Sequence, residues 1–139
     1  MAMMGCPDRP PLFVVTNDID SLTSVVIGAA IYVHRVLGPG LLESAYEDCL
    51  AWTLTSRGIV LRRQRLLPVT FEGKQIESAY RIDLLVENEL IIEVKAVERV
   101  LPVHEAQLRT YLRLSGIKAG LLFNFLVPVM KDGIRRMSM

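Results

Sequence analysis

At 139 residues, 51% hydrophobic and 22% charged, the chain has material for one domain with a substantial core. A net charge of +1 and a pI near 7.8 exclude the general basic excess of a protein that grips nucleic acid unaided. Cys6 and Cys49 are too few for a disulfide framework, and the apolar runs break short of the roughly 20 residues a bilayer needs.

Residues 1–17 hold three prolines and no periodicity, and are read as a flexible leader before a single domain over residues 18–139. Met1 to Val15 has neither the basic start nor the apolar core of a signal peptide, so a reduced, cytoplasmic protein with no membrane association is expected. A first helix begins near Ser21, where Leu22, Val25, Val26, Ala29, Ala30, Val33, Val36 and Leu37 recur at helical spacing. Asp18, Asp20 or Ser21 can cap it, and Gly38-Pro39-Gly40 stops it. A second helix is expected from Leu41 to Arg57, with Leu42, Ala45, Tyr46, Cys49, Leu50, Trp52 and Leu54 as its apolar surface and Gly58 at its end.

Strands follow at Ile59–Leu66 and Pro68–Phe71, then a turn at Glu72-Gly73-Lys74 and a strand from Gln75 to Val86. A second hairpin turns at Asn88 into Leu90–Lys95. Pro102 opens a third helix that runs to about Leu114 and ends at Ser115-Gly116. Ala119 to Phe125 reads as a central strand, and Ile134 to Met139 as a short tail element. A hairpin followed by a crossover helix and a further strand predicts an α/β fold, a mixed sheet of four or five strands flanked by helices. Trp52, Phe71, Phe123 and Phe125 are expected in the core, so no row of exposed aromatics suggests a base-stacking platform.

The segment Arg81 to Lys95 is the most informative. If its hairpin is symmetric about Asn88, Asp83 lies across from Glu93, and Lys95 shares the Glu93 face. Ile82, Leu84, Val86, Ile92, Val94 and Ala96 form the other, apolar face. Carboxylates opposed on adjacent strands repel, and a cation between them would resolve the conflict. Mg²⁺ or Mn²⁺ suits such a pair, because it keeps several waters and needs few carboxylates. The ion lowers the pKa of a bound water and neutralises charge on a phosphoryl group, and a lysine alongside can position the water or steady the developing charge. The plainer alternative is a solvated salt bridge from Lys95 to Asp83 or Glu93. In the third helix His104, Gln107 and Tyr111 share a face. Glu43 sits in the first turn of the second helix, beside Tyr46, where the macrodipole also favours an acid.

These segments together resemble the GxxExxY family, a branch of the PD-(D/E)xK nuclease-like superfamily. The resemblance spans about Ser21 to Met137. It rests on Val33-His34-x-x-Leu37-Gly38-Pro39-Gly40-Leu41-Leu42-Glu43-x-x-Tyr46, on Tyr80-Arg81-x-Asp83-Leu84-Leu85-Val86 and on Glu93-Val94-Lys95-Ala96-Val97. His104-Glu105-Ala106-Gln107-Leu108-x-x-Tyr111-Leu112 and Gly120-Leu121-Leu122-x-Asn124-Phe125 complete it, and Gln107-x-x-x-Tyr111 is similar to the helix motif of RecB-type exonucleases. Ile82 stands where the superfamily's name carries proline. The resemblance implies a restriction-endonuclease-like core in which Asp83, Glu93 and the Val94 carbonyl ligate Mg²⁺ or Mn²⁺ and Glu43 completes the shell. Lys95 would be the catalytic lysine, Gln107 and Tyr111 would orient the scissile strand or the lysine, and His34 would stand behind Glu43 as a supporting group.

The function expected is a metal-dependent nuclease hydrolysing phosphodiester bonds of DNA, with RNA also open. A noncatalytic nuclease-fold module that binds nucleic acid or a protein partner is the alternative, and a hydrolase of small phosphorylated substrates is a third. The weak net charge suggests a homodimer or a protein partner that lengthens the binding surface.

Overall fold

The computed structural model describes residues 18–139; the leader, the signal-peptide reading and Cys6 lie outside the described residues. Helices α1 (Ile19–Leu37) and α2 (Glu43–Ser56) come first. Strands β1 (Leu61–Phe71), β2 (Lys74–Val86) and β3 (Leu90–Lys95) follow, then α3 (Pro102–Ser115), β4 (Ala119–Asn124), a 3₁₀ turn (Met130–Gly133) and β5 (Ile134–Ser138). The five strands lie in chain order in one mixed sheet, in which only the β3–β4 pair, joined by the α3 crossover, is parallel. The α/β class and the helix-flanked mixed sheet are as the sequence predicts.

Two apolar layers sandwich the sheet. Leu22, Val26, Ala29, Ala30 and Val33 of α1 and Tyr46, Leu50 and Leu54 of α2 pack on Leu84, Val86, Ile92, Val94, Leu121 and Phe123. On the opposite face, Leu108 and Leu112 of α3 meet Tyr80, Ile82, Leu85, Ile91 and Leu122. Gly120 lets α3 approach closely, since a Cβ there would stand 2.9 Å from Leu108 Cδ1. Helix α1 is, by length and composition, apolar enough to cross a membrane, which the expectation of no such run missed; here its apolar stripe is the core of a folded domain.

Asp18 caps α1, its Oδ1 accepting from the Asp20 N–H at 3.0 Å. The loop between α1 and α2 is clamped by Tyr46: its hydroxyl donates to the Gly38 carbonyl at 2.5 Å and accepts from the Leu41 N–H at 3.1 Å. The Tyr46 ring stacks on Phe125 with centroids 4.5 Å apart. This tyrosine therefore fixes the entry into α2, and with it the start of the helix that carries Glu43.

Three expectations are corrected. Trp52 and Phe71 are 73% and 64% exposed, whereas Phe123 and Phe125 are core as expected. Trp52 lies on the flank of α2 turned away from α1 and the sheet, and Phe71 lies at the tip of the β1–β2 hairpin, beyond the helices that cover the sheet. Ile82 packs with the α3 layer, not beneath Leu84 and Val86. The strand rotates at Asp83, where the pairing of β2 with both neighbours is interrupted.

Candidate metal and catalytic site

The rotation at Asp83 has a cause in both neighbouring strands. In the β2–β3 hairpin Glu87 and Asn88 take positive φ (53° and 56°), and the ladder runs Val86–Leu90, Leu85–Ile91, Leu84–Ile92. That register makes Asp83 and Glu93 the next pair, as symmetry about Asn88 predicts. The rung is not made by backbone. The Asp83 N–H approaches Glu93 Oε1 at 3.4 Å, and the Val94 N–H donates to Asp83 Oδ2 at 2.8 Å. Each carboxylate thus takes the backbone amide of the opposite strand, and the two strands part around them.

On the other side, β1 pairs Arg63 with Leu84 and Arg65 with Ile82, skipping the Gln64–Asp83 rung. Gln64 has φ of 49°, a left-handed conformation in the middle of a strand. Its Nε2 donates to Glu47 Oε1 at 2.8 Å and lies 3.5 Å from Asp83 Oδ1. Arg63 holds the second Glu47 oxygen, at 3.0 Å, and also pairs with Asp48.

Burial is the largest influence on both members of the pair. It pushes the Asp83 carboxyl up, and repulsion from Glu47 adds to this, while the Val94 N–H, Lys95 and Gln64 oppose it. Glu93 is pushed up to about 8 by burial, then by the Asp83 charge and by Glu47, against the Asp83 N–H and Lys95. A buried carboxyl that holds its proton near neutrality, facing a second whose pKa is also raised, marks a site short of positive charge.

Lys95, two residues beyond Glu93, is half-buried and makes no ion pair within 4 Å among the described residues, so the plain salt bridge is not formed. The segment after it is held by buried Asn124, whose Nδ2 donates to the Val97 carbonyl at 2.8 Å and whose Oδ1 accepts from the Val97 N–H at 3.1 Å. Tyr111 stacks on Tyr80 with centroids 4.8 Å apart, and burial, then the charges of Glu93 and Asp83, raise its pKa. Exposed Gln107 lines a groove of about 390 Å³ with Tyr80, Thr110 and Tyr111. His104 caps α3, its Nδ1 accepting from the Leu101 N–H at 3.0 Å.

Glu43 is exposed and accepts from the Ala96 N–H at 3.2 Å, one residue past Lys95. His34 is buried and donates through Nε2 to the Val127 carbonyl at 2.7 Å, a structural tie between α1 and the loop after β4. Among the described residues no three acidic, histidine or cysteine side chains converge as a preformed metal cluster. The Asp83–Glu93 pair nevertheless fits a hard divalent ion: two carboxylates short of a counter-charge suit Mg²⁺ or Mn²⁺, which completes its shell with water.

Glu47 and Gln64 were missed from the sequence. Glu47 lies one helical turn after Glu43, so spacing alone could have flagged it. Gln64 could not be found that way. Counting from the Glu72–Gly73 turn pairs it with Arg81. It reaches Asp83 because three residues, 77–79, oppose the single Pro68 and shift the register. Proline has no N–H for a rung, and the bulge forms there.

A family profile described as the PD-(D/E)XK nuclease superfamily matches residues 20–137. No curated protein and no solved structure gives a significant match.

Proposed function

The chain belongs to the PD-(D/E)XK nuclease superfamily, and from that premise we propose that it hydrolyses phosphodiester bonds of DNA with Mg²⁺ or Mn²⁺ at the Asp83–Glu93 pair. The observation that carries the reading is the parting of β2 and β3 around two facing, charge-starved carboxylates. In this reading Asp83, Glu93 and the Val94 carbonyl hold the ion, and α2 supplies further acid through Glu43 or Glu47. When bound, the ion contributes charge neutralisation at phosphate and a more acidic water.

The chain's own residues do the rest. Lys95, alternating onto the Glu93 side of β3, places a cation where phosphoryl charge develops. Tyr111, close enough to feel both carboxylates, and Gln107, one turn earlier on α3, bind and orient the strand being cut. Exposed Arg62, Arg65 and Arg81 on the paired strands β1 and β2 stand within two residue pairs of Asp83 and offer contacts to the phosphates on either side. The narrower GxxExxY assignment is supported by the Gly40–Glu43–Tyr46 segment, in which Tyr46 clamps the loop that leads to Glu43. A reduced, cytoplasmic setting accords with the free thiol of Cys49.

Titrating Mg²⁺ and Mn²⁺ against labelled single-stranded, duplex and branched DNA tests the proposal. Cleavage that requires the ion supports it. Binding without cleavage of any substrate would favour the noncatalytic module, and hydrolysis of small phosphate esters alone would favour the third reading.

A further inference from the structure

Gln64 pairs an unusual backbone with an unusual placement of its amide. A non-glycine residue with positive φ inside a strand costs folding energy, and such conformations persist where the surroundings demand them. No turn requires it here, because Gln64 lies between the paired residues Arg63 and Arg65. What the conformation accomplishes is visible in the side chain. Its Nε2 stands between two carboxylates, 2.8 Å from Glu47 Oε1 and 3.5 Å from Asp83 Oδ1. Glu47 is only 7% exposed, and Arg63 grips its other oxygen. Without a donor between them, two carboxylates this close would repel and separate.

We propose that Gln64 is a positioning residue for the metal centre, holding the α2 carboxylate Glu47 beside Asp83 so that an arriving divalent ion meets a third acid already in place. The inference rests on the metal-dependent reading given above and deepens it. The amide acts through Glu47 and Asp83; it contributes no ligand and no proton. Because Mg²⁺ and Mn²⁺ keep several waters, Glu47 need only accept from one of them to add its charge to the site.

Gln64→Gly separates this role from a structural one, because glycine adopts positive φ freely while lacking the amide. Gln64→Asn also tolerates the conformation but is one methylene too short to bridge the acids. Mn²⁺ binding by calorimetry and melting of the metal-free protein are measured for wild type, both variants, Glu47→Gln and the Gln64→Gly/Glu47→Gln double variant. We expect both Gln64 variants to fold, while each binds Mn²⁺ about tenfold or more weakly, the usual effect of losing a group that orients a ligand. In the Glu47→Gln background the further loss from Gln64→Gly should largely vanish, since its partner is already gone.

Wild-type Mn²⁺ affinity in both Gln64 variants would overturn the inference while leaving the metal site standing. So would an undiminished loss in the double variant. A wild type that binds no Mn²⁺ would overturn both the inference and the functional reading beneath it.

Discussion

Replacing Glu93 with glutamine should make the metal-free protein more stable. Glu93 is held up to about 8, first by burial and then by the Asp83 charge, against an ordinary 4.5. Between those values the folded protein keeps a proton that the unfolded chain has released, so stability falls as pH rises from about 4.5 to about 8 and this contribution is flat beyond. Each pH unit in that window costs about 1.4 kcal/mol, which puts the penalty at pH 7 near 3 kcal/mol as a ceiling. Asp83, also raised, adds in the same direction. Glutamine is neutral throughout, and its carbonyl can still accept from the Asp83 N–H. Metal-free Glu93→Gln should therefore melt on the order of 10 °C above wild type at pH 7. The gap should close towards pH 4.5. Mn²⁺ should close most of that gap, raising wild type by about 2.7 kcal/mol at a hundredfold excess over its Kd while moving the variant far less. Calorimetric melting from pH 4.5 to 9, with and without Mn²⁺, provides the test. Equal melting temperatures and parallel pH profiles without metal, or equal Mn²⁺ shifts, would refute the reasoning.

Other consequences follow from the same geometry. Lys95→Ala should abolish cleavage in a gel assay while Mn²⁺ affinity and melting stay close to wild type, because Lys95 forms no ion pair among the described residues. Gln107→Ala should reduce the cleavage rate without abolishing it, and circular dichroism should show α3 intact, since Leu108 and Leu112 still seat the helix. Tyr46→Phe removes both hydroxyl bonds to the Gly38–Leu41 loop and should cost about 1–3 kcal/mol in denaturant unfolding, with the ring's stacking on Phe125 retained.

Much of this was legible in the chain because it depends on local rules. Helical spacing gave α1, α2 and α3 to within about two residues. The period of two and the short turn at Asn88 set Asp83 across from Glu93, with no long-range information needed. The same rule failed for Ile82, because alternation assumes a regular strand and β2 rotates where Gln64 and Asp83 break the ladder. Gln64 itself was hidden by the bulge opposite Pro68, a change in register that no periodicity records. Glu47 carries a signal in its spacing, one helical turn after Glu43, but the return of β1 is what shows which groups it faces. Exposed Trp52 shows the limit of composition, since a large apolar residue near a helical stripe need not lie on it.

The claim that the facing carboxylates form a cation site is tested most directly by anomalous diffraction from crystals grown with Mn²⁺. The account predicts one Mn²⁺ peak bridging a carboxylate oxygen of Asp83 and one of Glu93, about 2 Å from each. Crystals in which Asp83 and Glu93 stay bonded only to the backbone of the opposite strand, with Mn²⁺ bound elsewhere or not at all, would contradict it.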